Sequence, residues 1–243
     1  MNYKVNGITL FGVNYRESDK ILTLFTLEKG KIGAAARGVR KANAKMKQIA
    51  ESFCFSEAVI SEKSGRRTIT EINSFDSFYP VRTDINKYYA GNCALEFTNA
   101  FLPEGLVSEG HFVILAEFLK ALAYGAQNPA DLLVKFFFDA VNENGFALNL
   151  SYCGRCGEPI KNKVFLSSRE GICVCENCRK EGDGGCLVDT YKYVKNISEG
   201  VFKDVEPKIR RNGLKLFGYY IEKVSGVALK SLPEFIEIMK NGQ

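Results

Sequence analysis

Two pairs of cysteines constrain this chain more than any other feature of its sequence. Cys153-Gly154-Arg155-Cys156 and Cys175-Glu176-Asn177-Cys178 each place two thiols at C-x-x-C spacing, with 18 residues between the pairs. A two-residue spacer lets one tight turn bring two thiolates to the same ion, and two such turns supply the four soft ligands of a tetrahedral zinc site. The reading is one structural Zn2+ held by Cys153, Cys156, Cys175 and Cys178 in an insert spanning about residues 150–186. Four thiolates leave no open position for water, so such an ion folds the insert and does not catalyse. Cys173 stands two residues before Cys175, yet only Cys175 with Cys178 has the two-residue spacer, so Cys173 is assigned to packing. Cys186 is a weaker rival, and Cys54 and Cys93 lie in apolar patterns and read as core. No βαβ pattern surrounds either pair, which argues against a redox dithiol.

Enzyme signatures do not accompany these cysteines. A zinc deaminase needs His-x-Glu with Pro-Cys-x-x-Cys. The single histidine, His111, is followed by Phe112 and Val113, and neither pair is preceded by Pro. A serine-type triad would have only His111 as its base, and there is no G-x-x-x-x-G-K-[ST] loop for a nucleotide. Near the start of an expected helix, His111 reads as a partly exposed structural residue. The chain is read as a non-enzyme.

Charge is distributed unevenly. Residues 1–80 hold 13 Lys+Arg against 8 Asp+Glu, and residues 81–243 hold 20 of each, so the whole net charge of +5 belongs to the first third. Within it, Lys31, Arg37, Arg40, Lys41, Lys45 and Lys47 fall in a stretch without an acidic residue, and Arg66 and Arg67 form a second cluster after Lys63. These residues are the candidate contacts to nucleic-acid phosphates. The 46% hydrophobic content suits a folded globular protein. No apolar run approaches the roughly 20 residues of a membrane span, and the N-terminus lacks a secretory signal pattern, so a cytoplasmic protein is expected.

Periodicity divides the chain at Pro80. Residues 7–13, 20–27, 32–36, 52–60 and 66–72 are short runs rich in β-branched and aromatic residues, with Glu28-Lys29-Gly30 as a hairpin turn. Five such strands suit an OB-fold barrel over residues 1–80, whose face and loops bind single strands. Phe53, Phe55 and Tyr15 are candidates for base stacking, although alternation favours the barrel core. From residue 81 to 243 the pattern is helical. Asp84 or Thr83, Ser108, and Asn128 before Pro129 are cap signals, and further helices are expected over residues 188–194, 207–224 and 232–239. The fold class is α+β: a five-stranded barrel, then a helical domain carrying the four-cysteine insert.

The residues 10–26, with Tyr15-Arg16-Glu17-Ser18-Asp19, then Lys29-Gly30 and Ala36-Arg37-Gly38-Val39-Arg40-Lys41, resemble the N-terminal pattern of the bacterial RecO family of DNA repair proteins. The order of parts matches as well, through to the closing Leu229-Lys230-Ser231-Leu232. The resemblance implies a recombination mediator that binds single- and double-stranded DNA and anneals complementary strands. With RecR it would assist RecA loading onto DNA coated by single-strand-binding protein. It also implies capture of the acidic tail of single-strand-binding protein, for which Lys120 and Lys135 are candidate contacts, and association with the nucleoid. A different reading of the same parts is an RNA-binding or transcription-associated protein built on an OB barrel and a zinc ribbon.

Overall fold

A computed structural model describes residues 1–241, except Lys45, Ala147, Asn162 and Ser168, and the main chain alone at Gln48. The chain divides into two compact units, Met1–Gly125 and Ala126–Gln243. The change from strand to helix falls near Pro80, while the packing boundary falls at residue 125, because the first helices pack within the same unit as the strands.

In the first unit, β1 (Asn2–Tyr15), β2 (Asp19–Thr26), β3 (Gly30–Ala36), β4 (Phe55–Lys63) and β5 (Arg66–Asp76) close into a barrel in the order β1-β2-β3-β5-β4. β1 makes the closure: residues 2–8 pair with β4 and residues 7–15 pair with β2. A bulge between Thr9 and Phe11 bends the strand between its two partners. β3 meets β5 in parallel at Ala35 and Thr68. Period-two alternation sets the faces, so Ile32, Ala34 and Ala36 are buried while Lys31, Gly33 and Ala35 look outward. Val5, Leu22, Leu24, Ile32, Ile60 and Ile69 fill the interior. The turn before β3 requires Gly30, whose φ is +62° and whose position leaves 2.1 Å between an added Cβ and the Leu106 carbonyl oxygen.

Three helices complete this unit: α1 (Tyr79–Thr83), α2 (Ile85–Phe101) and α3 (Glu109–Tyr124). The cap signals act as their chemistry demands, since Asp84 accepts from the Lys87 amide at 3.0 Å and Ser108 from the His111 amide at 3.4 Å. The short α1 has no counterpart in the sequence reading. Phe53 is fully buried, and an added Cβ at Gly91 of α2 would meet its ring at 2.8 Å, so this aromatic is core.

His111 departs from its expected place. It is wholly buried, its Nε2 lies 2.9 Å from Thr98 Oγ1, and Phe97 and Phe25 flank the ring. An amphipathic helix start looked half-wet in sequence, but α3 turns that edge toward α2. Burial pushes the imidazole down to about 4. The folded state therefore keeps His111 neutral, while the unfolded chain takes up a proton below about pH 6.5. Stability is expected to fall by about 3 kcal/mol between pH 6.5 and 4. Urea midpoints measured across that range should show the loss in the unaltered chain and not in His111→Gln; identical curves would contradict the buried neutral imidazole.

The second unit contains α4 (Pro129–Glu143), β6 (Val164–Ser167), β7 (Ile172–Cys175), β8 (Gly184–Cys186), α5 (Val188–Ser198), α6 (Pro207–Ser225) and α7 (Ser231–Asn241). α4, capped by Asn128, packs against α5 and α6, and Leu133, Val134, Phe137 and Val141 are buried with Phe217 and Ile221. Inside this apolar packing sits an ion pair. Arg210 meets Asp131 through Nε at 2.9 Å and Nη2 at 3.2 Å, and Tyr193 donates its hydroxyl to the same carboxylate at 2.6 Å. The insert is more than two knuckles, because β7, β6 and β8 form a three-stranded antiparallel sheet in that order.

Candidate metal centre and nucleic-acid interface

The insert's strands place the four expected sulfurs together. Cys153 and Cys156 belong to a turn closed by the Gly157 amide on the Cys153 carbonyl at 2.9 Å, with Gly157 at φ +74°. Cys175 ends β7, and a single 3-10 turn, Glu176–Cys178, carries the chain to the fourth thiol. The Gly154 amide donates to the Cys173 carbonyl at 2.9 Å, which docks the first turn on β7. All four sulfurs lie within 4.8 Å of one another, and Cys156 and Cys175 are 3.9 Å apart. A tetrahedron with metal–sulfur bonds of about 2.3 Å has edges of about 3.8 Å. The cluster can hold a metal ion. Burial raises the Cys153 thiol, but the amides of Cys175, Cys156 and Arg155 outweigh it and lower that thiol to about 6, while the neighbouring sulfurs of Cys156 and Cys175 push the Cys178 thiol up to about 12. Cys173 lies outside the cluster, and burial pushes its thiol up to about 12, in keeping with packing.

Arg155, between the first two thiols, had no assigned role in the sequence, and the fold makes it the clasp of the insert. Its guanidinium donates to Glu170 at 3.0 and 2.8 Å, to Asp183 at 2.6 and 3.3 Å, to Ser167 Oγ at 3.2 Å and to the Cys178 carbonyl at 2.5 Å. One side chain thus ties the first turn to β6, to the loop before β7 and to the second turn. The Arg155 bond holds the Asp183 carboxyl at about 2. Groups that orient ligands cost 10–100-fold in metal affinity when removed. Arg155→Ala is expected to weaken metal binding by roughly that factor, read by competition with a chelator; affinity within a factor of two would reject the clasp.

The barrel presents the second site. Tyr15, Arg16, Arg37, Arg66, Arg67 and Thr68 border a concavity of ≈ 500 Å³ over the outer face of β2, β3 and β5. A second hollow of ≈ 600 Å³ shares Arg37, Arg66 and Thr68 with it and adds Lys63. The only carboxylate among these linings, Asp19, is occupied: it accepts from the Gly38 amide at 2.8 Å, a bond that holds it below the usual carboxylate range. Gly38 has φ +67°, which suits glycine at this turn. Arg40 donates to the carbonyls of Arg16 and Glu17 at 3.2 and 3.1 Å, and its amide reaches the Ser18 carbonyl at 3.0 Å. The turns at residues 15–19 and 36–41 are thereby locked together and expose Arg16, Arg37 and Lys41.

The basic residues named from sequence are not equivalent. Arg37, Arg40, Lys41, Lys47 and Arg66 are exposed; Lys45 lies outside the described residues. Lys31 is half-buried, with its ammonium donating to the Asn99 carbonyl, so it holds β3 to α2. Arg67 faces Glu62 and Glu104, each at 3.6 Å. Lys120 is exposed on α3, whereas Lys135 belongs to the other unit and pairs with Asp139 along α4. Arg16 was missed because it stands alone in sequence among acids, outside the basic run.

Comparison with known proteins places the chain in a family. Residues 1–78 match the family described as Recombination protein O N terminal, and residues 82–233 match Recombination protein O C terminal. A DNA repair protein RecO of Acetivibrio thermocellus is 25% identical, covering 92% of this chain and 86% of that protein. One of Syntrophomonas wolfei is 26% identical over 91% and 89%. Another, of Anaeromyxobacter sp., is 30% identical over 72% and 70%. With family matches spanning nearly its whole length, a closed five-stranded barrel at its start and four converging thiols in its helical part, the chain belongs to the RecO family of DNA repair proteins.

Proposed function

We propose that this chain is a non-enzymatic recombination mediator. It binds single- and double-stranded DNA, anneals complementary strands and, with RecR, assists RecA loading onto DNA coated by single-strand-binding protein. The observation that carries the reading is the basic concavity of the barrel, in which the one lining carboxylate is already hydrogen-bonded within the fold. Arginine and lysine contacts to phosphates are strong at low salt and exchange quickly, as a protein that hands strands from one partner to another requires. The ion that Cys153, Cys156, Cys175 and Cys178 would hold is, on this reading, one structural Zn2+, because four soft thiolates suit it and close its coordination sphere. No helix among the described residues is long and apolar enough to cross a membrane, in keeping with work on DNA in the cytoplasm and at the nucleoid. Lys120, beside the apolar side of α3, remains a candidate contact for the acidic tail of single-strand-binding protein; Lys135, paired with Asp139, is a weaker one.

Annealing of complementary strands precoated with single-strand-binding protein, with and without RecR, tests this function; no acceleration under either condition would refute it. The interface has its own test. Arg37→Ala/Lys41→Ala/Arg66→Ala is expected to lower the slope of log K against log salt by about 2 on single strands, at about 0.7 for each phosphate contact. An unchanged slope would reject the assignment. RNA of equal length competing as well as DNA would favour the RNA-binding reading instead.

A further inference from the structure

The four converging thiols differ in their access to solvent. Cys153 is buried, Cys175 and Cys178 are half-buried, and Cys156 is exposed. The first turn is fixed at its inner end. There the Cys153 amide donates to the Glu158 carbonyl at 2.8 Å and the Gly154 amide to the Cys173 carbonyl at 2.9 Å, and a Cβ added at Gly154 would stand 2.8 Å from Ile172. The outer end is open, since Gly157, next to Cys156, has nothing within 4 Å of an added Cβ. Across from it, Cys175 ends β7 with its sulfur 3.9 Å from that of Cys156. The two other cysteines of this unit are less available: Cys173 is buried, and Cys186 is half-buried with its sulfur on the Leu187 carbonyl at 3.5 Å. Oxidants choose among cysteines by thiolate character and exposure. Ligation to a metal gives the first to all four cluster thiols, and the fold gives the second to Cys156 alone among them.

We propose that Cys156 is an oxidation site for hydroperoxides and that its oxidation closes a disulfide with Cys175 and expels the metal. This rests on the zinc reading of the cluster and adds a reaction to it. The Cys156 thiolate attacks one oxygen of the peroxide and the O–O bond breaks. The sulfur becomes a sulfenic acid, and the other oxygen leaves as hydroxide, or as an alkoxide from an organic peroxide. The Cys175 thiolate then attacks the sulfenic sulfur and displaces hydroxide as the S–S bond forms. The two sulfurs give up one electron each and the peroxide takes both. A disulfide bond is about 2 Å long, so closure brings the sulfurs closer by about 2 Å, a movement for which the open end of the first turn leaves room. Cys153 and Cys178 are then the only thiolates left in the cluster, and two ligands do not complete the tetrahedron that structural zinc requires. Exchange with a reducing thiol restores Cys156 and Cys175, and with them the site. The insert thus keeps its ion where peroxide is scarce and surrenders it where peroxide accumulates.

The full chain, loaded with zinc, is treated with hydrogen peroxide in the presence of a chromogenic zinc chelator, and its disulfides are mapped by mass spectrometry without reduction. One zinc ion is expected to appear for each peroxide consumed, with Cys156–Cys175 as the first disulfide. Trypsin cleaves after Arg155 and a glutamyl protease after Glu176, so the four cysteines fall on separate peptides and the pairing is unambiguous. A reducing thiol added with zinc should restore one bound ion per chain. Cys186→Ser leaves all four ligands in place and should release zinc at the unaltered rate. Zinc retained while peroxide is consumed, a first disulfide that omits Cys156 or Cys175, or slower release from Cys186→Ser would each overturn the oxidation site. A chain that takes up no zinc before any peroxide is added would bring down the zinc reading itself.

Discussion

The Cys153→Ser/Cys156→Ser protein is expected to hold no zinc and to lose the three-stranded sheet of the insert. Its strands contain only four, four and three residues, and Val164, Leu166, Cys173 and Val174 are their main buried side chains. So small a sheet is marginal by itself, and the free energy of binding structural zinc, about 10–16 kcal/mol in small zinc-binding peptides, is folding free energy. Cys175 and Cys178 alone offer two thiolates, and serine hydroxyls do not replace the others at neutral pH. Metal analysis of the purified protein measures the first effect, and amide exchange across residues 164–186 measures the second. Far-UV circular dichroism should keep most of its helical signal, because α4, α5 and α6 pack through their own apolar faces. One full equivalent of zinc retained, or amide protection unchanged, would remove the insert's dependence on the metal.

Asp131→Ala should destabilise the second unit by about 3–5 kcal/mol, the range found when one partner of a buried ion pair is deleted. Arg210 is almost fully enclosed, and among the described residues it keeps, without Asp131, Asp204 at 3.1 Å and the Val205 carbonyl at 2.7 Å. The Tyr193 hydroxyl loses its acceptor in the same step. Asp204 is nearly fully exposed and hydrated, so it offsets little of the loss. Removing both charges together, as in Asp131→Leu/Arg210→Met, should cost much less, because replacing a whole buried pair with apolar groups is often neutral. Urea midpoints of the single and double variants measure the difference. A loss under about 1 kcal/mol for Asp131→Ala would mean that water or Asp204 already serves Arg210.

Much of the fold was legible because its signals are local. Asp84, Ser108 and Asn128 cap α2, α3 and α4 because a short polar side chain before an apolar run satisfies the first free amides wherever the helix packs. Alternation along β3 sorted inward from outward residues for the same reason. The two C-x-x-C pairs marked the four thiols that converge, since each spacer is a property of one turn. The Tyr15–Asp19 and Arg37–Lys41 motifs that carried the family resemblance are those whose Asp19–Gly38 and Arg40–Arg16 bonds hold two turns together. What sequence missed depends on residues far apart in the chain. Lys31 looked like one more cation in a basic run until α2 brought the Asn99 carbonyl to it. Arg155 finds Glu170 and Asp183, 15 and 28 residues away, only once the sheet has formed.

Local signals along the chain thus set the class of elements, the four cysteines that converge and the concentration of positive charge in the first third, because periodicity, caps, spacers and composition act within a few residues. Only the packed structure shows which cations remain available to a ligand, that His111 is buried and neutral, that Arg155 clasps the insert, and that Tyr15 stands exposed beside Arg37 and Arg66. Those are questions of what each side chain meets across the fold, and strand register and helix packing answer them only after the chain has closed.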